Sequence, residues 1–243
     1  MRQPSGPLLR PIANGAGQAV LIVLGYVLAW HGAALFEVHP NVSALYLSAG
    51  LTTALAMLCG WRALPLAYAA LCLARGLDHG LNALHEVDWA GALRQIAIYG
   101  AAGLYLRRRW RGADFRLSLN GALRFTLITL VASFAAAATG LLIPPFDTLP
   151  AAARREVLLS FWAGDCAGVL IVVPLVALGH AWLRGGDALA HRWHEAISRR
   201  RGEPAPAALV LVSAAFAIGH ALTGLPPGVG NGLVLLPVML AGL

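Results

Sequence analysis

The chain has 243 residues, of which 58% are hydrophobic and only 12% charged, and its mean hydropathy is +0.69. This composition excludes an ordinary soluble domain and indicates a polytopic membrane protein. The net charge of +7 comes entirely from arginine, since no lysine occurs. In a membrane chain, arginines anchor cytoplasmic loops, so we do not expect the protein to bind nucleic acid.

Eight apolar segments follow one another along the chain, most of them close to the length that crosses a bilayer as a helix. Their continuous character, without period-two alternation, favours helices over barrel strands. The third is the weakest, because it contains Arg75 and Asp78. We therefore predict an all-α fold with about eight transmembrane helices. The segments are Gln18–Phe36, Val42–Cys59, Leu64–Leu81, Trp89–Leu106, Ala122–Ile143, Val157–Trp182, Ala207–Leu222 and Asn231–Leu243.

Arginine placement predicts the topology. With the N-terminus in the cytoplasm, most arginines fall in cytoplasmic segments, as the positive-inside rule requires. The exceptions are Arg75, Arg94, Arg154 and Arg155. An even number of spans returns the C-terminus to the cytoplasm. We therefore expect a multi-pass protein of the bacterial inner membrane, with the lipid bilayer as its main surroundings.

The domain organisation is predicted as one integral-membrane unit over 1–243. A six-span block covers 18–182, a flexible arginine-rich cytoplasmic loop covers 183–206, and a final helix pair covers 207–243. The chain ends at Leu243 inside an apolar run of about thirteen residues, shorter than a full span. We interpret this end as that of a fragment or an excised domain, with a short last helix as the alternative.

Asp165 lies well inside the sixth apolar segment, where a carboxylate costs roughly 2.5–3.5 kcal/mol on insertion scales. Helix rise places other polar side chains at a similar depth in the outer half of the membrane. We consider two interpretations: a structural ion-pair network, or a signal-binding pocket in which one arginine pairs with Asp165 and the second binds an anion. The candidate residues are Asp165, Trp162, Arg94, Arg75, His31, His220, Tyr46 and Ser48.

The sixth segment also contains helix-packing signals. Trp162 lies three residues before Asp165 and so shares its helix face. Gly164 and Gly168 form a small-xxx-small pair, which permits close approach of a neighbouring element. Pro174 is expected to bend the helix, and it is either a simple bend or a signalling hinge.

Two stretches resemble a known family. Phe161–Pro174 contains Trp162, Asp165, Gly168 and Pro174 in a Trp-x-x-Asp-x-x-Gly…Pro pattern, and Leu45–Pro65 contains a Gly-Trp-Arg turn before the third span. Both are similar to the bacterial membrane-associated sensor domain of the first type, in the MASE group, although Leu47 stands where that family commonly has proline. The resemblance implies a sensory input domain without catalysis or cofactor of its own.

That family also implies the partners. Such domains pass a signal to a cytoplasmic effector, a histidine kinase or a diguanylate cyclase, in cis or in trans, and linked effectors of this kind commonly work as homodimers. Two-component or cyclic-di-GMP signalling is therefore the expected context.

Two other classes remain as alternatives. A proton-coupled anion transporter would use a buried acid with arginines, but no duplicated broken-helix pair is evident. An intramembrane protease would need a pair such as Ser48 and His220, but Ser48 lacks the Gly-x-Ser-Gly context. The acids and histidines around His79–Asp88 lack the ligand spacing of a metal site, so we predict none.

Overall fold

The computed structural model describes residues 15–39, 42–79, 88–109, 119–142, 147 and 149–199. Six helices make up most of this part of the chain, and they correspond in order to the first six predicted segments. They are α1 (Gly15–Ala34), α2 (Leu47–Cys59), α3 (Leu64–His79), α4 (Trp89–Arg109), α5 (Leu119–Gly140) and α6 (Ala151–Arg199). The predicted all-α class is confirmed, with one small ribbon as the exception among the described residues.

That ribbon corrects the predicted second span. Strand β1 (Glu37–His39) pairs antiparallel with β2 (Val42–Ser43), so helix α2 begins at Leu47 rather than at Val42. The Ser43 hydroxyl donates to the Ala33 carbonyl at 2.6 Å and accepts from the Leu45 backbone N–H at 3.1 Å. These local bonds hold residues 42–46, the entry segment, in a non-helical conformation. Irregular backbone is tolerated at membrane depth only where protein buries it.

Helix α2 is the central helix of the described bundle. It packs against α4 and α6 most extensively and also against α1, and most of its residues are buried. Helix α2 approaches α6 and α4 closely because a glycine lies at each contact with the neighbouring backbone. A Cβ at Gly50 would collide with the Gly168 carbonyl, and a Cβ at Gly103 would collide with the Thr53 carbonyl. The Tyr26 hydroxyl and the Thr52 hydroxyl, 2.6 Å apart, share a buried hydrogen bond that ties α1 to α2.

Helix α2 is terminated at its C-terminal end by a tight turn at Gly60 and capped by the side chain of Arg107. Gly60 has φ of +81°, a conformation that favours glycine, and a 3-10 turn (Trp61–Ala63) then leads directly into α3. From α4, the Arg107 guanidinium donates to the carbonyls of Met57 and Leu58, the former at 3.1 Å. A cation at this position satisfies unpaired carbonyls and complements the helix dipole.

Helix α6 is much longer than a membrane span. It has 49 residues, which correspond to about 73 Å of helix against roughly 30 Å of hydrocarbon. It continues through Pro174 and through 183–199, where the sequence analysis predicted a flexible loop. The segment 183–199 contains no proline, and the Gly185-Gly186 pair lowers helix propensity without ending the helix.

Three described helical segments are long and apolar enough to cross a membrane, namely Gly15–Ala34, Leu123–Gly140 and Ala151–Ala177. Helix α2 has only 13 residues, about 20 Å, because the entry segment takes part of its predicted length. Helices α3 and α4 contain charged side chains, Arg75 and Asp78 in α3 and Arg94 in α4, that lower their hydropathy. The count of eight spans is therefore not confirmed, and the predicted spans 207–222 and 231–243 lie outside the described residues.

Candidate functional site

Asp165 on α6 is buried, and its side chain faces α4. Its carboxylate accepts a hydrogen bond from the hydroxyl of Tyr99 on α4, and both side chains are almost completely inaccessible. A carboxylate in such a position needs a donor, because an unpartnered buried charge is very costly. In this chain the donor that the structure shows is a phenol.

The predicted ion pair of Asp165 with an arginine is absent from the described residues. Arg94 donates instead to the Ala136 carbonyl and, at 3.1 Å, to the Thr139 hydroxyl, both on α5. The reason is the rotation of α4: residues 94 and 99 are five positions apart, so they point about 140° away from each other at 100° per residue. The face with Tyr99 meets Asp165, whereas Arg94 lies against α5.

Arg75 belongs to a second polar group, here called the Arg75 cluster, formed by Trp30, Tyr46, Arg75, Asp88 and Gln95. The Gln95 side-chain oxygen accepts from the Tyr46 hydroxyl at 2.8 Å and from Arg75 Nη2 at 2.7 Å. The guanidinium lies over the Trp30 ring at 5.1 Å from its centroid. Four segments, α1, the entry segment, α3 and α4, thus meet at one end of the bundle.

The two polar groups are adjacent through Tyr46. Its side chain belongs to the Arg75 cluster, while its backbone N–H donates to the Gly164 carbonyl at 3.0 Å, next to Asp165 on α6. Cβ atoms at Gly164 and Gly168 would collide with the carbonyls of Ser43 and Tyr46. The small-xxx-small pair therefore lies against the entry segment, whose own backbone it contacts.

The other predicted residues lie elsewhere. The Trp162 indole donates to the Leu130 carbonyl at 3.0 Å and its ring meets Phe134 edge-on, so it faces α5. Ser48 is buried, and its hydroxyl has no hydrogen-bond partner among the described residues. His31 is an exposed residue near the end of α1. His220 lies outside the described residues.

Four site residues were not predicted from the sequence, namely Trp30, Asp88, Gln95 and Tyr99. A usable signal existed in α4, because Gln95 and Tyr99 are four residues apart and flanked at the same interval by Gly91 and Gly103. Polar and small residues at this period mark one buried face of a helix. Within the described part of the chain, no three His, Cys, Asp or Glu side chains gather to hold a metal ion.

The long apolar helices and the buried polar groups between them define a polytopic α-helical membrane protein. The family model for MASE1 matches residues 17–242. The chain therefore belongs to the MASE1 family of membrane-associated sensor domains, and the predicted family is confirmed. Neither a curated protein nor a solved structure matches the chain.

Proposed function

We propose that the chain is a sensory input domain that relays a signal to a cytoplasmic output domain, a histidine kinase or a diguanylate cyclase. Membership of a family of membrane-associated sensor domains supports the sensory part of this proposal. The observation that carries the relay is the position of Tyr46. It is the residue through which the Arg75 cluster contacts the helix that bears Asp165.

The relay has a direct mechanical route. A ligand that binds two arrangements of the Arg75 cluster unequally shifts the population between them. Because Tyr46 is bound to Gln95 by its side chain and to Gly164 by its backbone, its displacement moves α6 against α2. From Asp165 to Arg199, α6 extends about 50 Å as one helix, which is long enough to leave the membrane. Movement of α6 near Asp165 is therefore transmitted along the helix to its C-terminal end at Arg199.

The orientation of this route follows from charge. The end of α4 bears Arg107, Arg108 and Arg109, so by the positive-inside rule it lies in the cytoplasm. The Arg75 cluster is at the opposite end of α4, near Trp89, and thus faces the periplasm. We propose an inner-membrane protein with cytoplasmic termini, a signal received from the periplasmic side, and an effector that works in cis, in trans or as a homodimer.

The test is a chimera in which a diguanylate cyclase domain follows Leu243, with cellular cyclic-di-GMP as the measured output. Tyr46→Phe removes the hydroxyl bonded to Gln95 but keeps the ring that meets Trp30 edge-on at 6.3 Å. We expect this variant to change output several-fold at equal membrane abundance. Tyr105→Phe, at an exposed position, is the matched control and should behave as wild type. Equal output from all three proteins would refute the relay.

A further inference from the structure

We propose that the Arg75 cluster binds a small carboxylate, and that the side chain of Asp88 competes for the same guanidinium. The inference rests on the proposed sensory function and names the chemical class of the signal. It also assigns the anion-binding role to one of the two intramembrane arginines, since Arg94 is engaged with α5.

Arg75 is incompletely paired. Its side chain is only 12% exposed, yet its closest side-chain bond is to the neutral amide of Gln95. Its Nη1 donates to the Asp88 backbone carbonyl at 3.1 Å, and Nε is buried without a partner. Arginine normally takes a carboxylate through two short parallel bonds. Among the described residues, no acid provides them.

The guanidinium of Arg75 is held in place before any ligand binds. Trp30 lies against its face, at 5.1 Å from the ring centroid, and Gln95 holds Nη2. The N–H groups of a guanidinium lie in its plane, so with the ring on the face an incoming carboxylate competes in that plane for the N–H groups that Asp88 and Gln95 now contact. An arginine that is already ordered loses little further rotamer freedom on binding.

Asp88 lies beside Arg75 but pairs with it only loosely. Its Oδ2 is 3.6 Å from Arg75 Nη1 and its side chain is 51% exposed, so this ion pair is weak and open to solvent. Its Oδ1 accepts from the Gly91 N–H at 2.7 Å at the start of α4. Asp88 can therefore release Arg75 and keep its helix cap. A free carboxylate with two short bonds to Arg75 would displace it.

The consequence for signalling follows from shared partners. A carboxylate on the Arg75 edge competes with Gln95 for the guanidinium, and Gln95 is also the acceptor for Tyr46. Binding thus replaces the bond between Arg75 and Gln95, while the Trp30 ring still orders the guanidinium, and it changes the bond that holds the Tyr46 side chain. Ligand binding is thereby coupled to α6 through Tyr46, whose backbone bonds to Gly164.

The experiment uses the full chain in nanodiscs of phosphatidylcholine, which has no carboxylate of its own. Acetate replaces chloride at constant ionic strength while intrinsic tryptophan fluorescence is recorded. The Trp30→Phe variant shows which part of the fluorescence change comes from Trp30. We expect saturable acetate binding in the wild type. Asp88→Asn keeps a good N-cap residue but removes the competing charge. It should bind acetate roughly two- to fivefold more tightly, the effect of removing an exposed ion pair.

Arg75→Gln should abolish the acetate response. Arg62→Gln is the matched control, because Arg62 is also an arginine over an indole ring, at 5.9 Å from Trp61, but lies at the other end of the bundle. Circular dichroism checks that each variant is folded. Equal binding by chloride and acetate, a response that survives in folded Arg75→Gln, or unchanged or weaker binding by Asp88→Asn would each overturn the inference. The Asp88→Asn result decides the question even if Arg75→Gln does not fold.

The cyclase chimera separates this inference from the proposed function. If acetate binds through Arg75 but neither acetate nor Tyr46→Phe changes cyclic-di-GMP output, the anion site stands and the sensory proposal fails. If acetate does not bind while Tyr46→Phe still changes output, the relay stands and the carboxylate site is wrong.

Discussion

Gln95 and Tyr99 lie one turn apart on the same face of α4, and each bonds to a different buried polar group. Gln95 accepts from Tyr46 and Arg75, whereas Tyr99 donates to Asp165. Residues four apart on a helix are neighbours on its surface, so the two groups are separated by only about 6 Å along α4. One helix therefore joins the candidate site to the buried acid of α6.

Tyr99→Phe is expected to destabilise the protein. The substitution keeps the ring but removes the donor to Asp165, and leaving a buried acceptor unsatisfied costs about 1–3 kcal/mol. Thermal unfolding in detergent measures the loss. Tyr105→Phe, on the same helix but 48% exposed, is the control and should be neutral. If both variants unfold at the wild-type temperature, Asp165 has another donor and the assignment is wrong.

Gly168→Ala tests the contact between α6 and the entry segment. The new methyl group would collide with the Tyr46 carbonyl, and since backbone cannot move aside as a side chain can, we expect a loss of about 1–3 kcal/mol. Gly179→Ala on the same helix is the control, because nothing lies within 4 Å of its Cβ position. Alanine is the better helix former, so this control should be unchanged or slightly more stable. Thermal unfolding of the two variants in parallel decides; equal stability contradicts the close contact.

Arg107→Ala should loosen the C-terminal end of α2. It removes the cation that bonds the carbonyls of Met57 and Leu58, and we expect a loss of about 1 kcal/mol in the free energy of unfolding. Its exposed neighbour Arg108 provides the control variant Arg108→Ala. Denaturant or thermal titration compares the two. A larger loss in Arg108→Ala than in Arg107→Ala would show that α2 is not capped from α4.

Cysteine labelling tests the proposed orientation. In a Cys59→Ser background, which removes the exposed native cysteine, Arg155→Cys should react with a membrane-impermeant maleimide added to intact cells. Arg109→Cys should react only after the membrane is permeabilised, because the positive-inside rule places this end in the cytoplasm. The reverse labelling pattern would invert the topology and move the Arg75 cluster to the cytoplasmic side.

Hydropathy predicted the helices better than it predicted their ends. Helix α4 begins at Trp89 as expected, but α2 begins at Leu47 because β1 and β2 pair and Tyr46 bonds to Gly164. The bond between Tyr46 and Gly164 joins residues far apart in the sequence, and local sequence patterns do not predict it. The segment beyond Trp182 was predicted as a connector but is helical to Arg199. Here the local composition is compatible with a helix, and a high density of charged residues does not by itself end a helix.

The sequence by itself determined that this protein is a helical membrane domain, that Asp165 is buried in its sixth segment, and that its family is one of sensors. These properties depend on composition, apolar length and a short motif, all of which are local. Only the tertiary structure decided the partners: Tyr99 rather than an arginine for Asp165, and Trp30 and Gln95 for Arg75. Which side chains bond to each other depends on how each helix is rotated about its axis relative to its neighbours. Many such rotations are compatible with the same hydropathy profile.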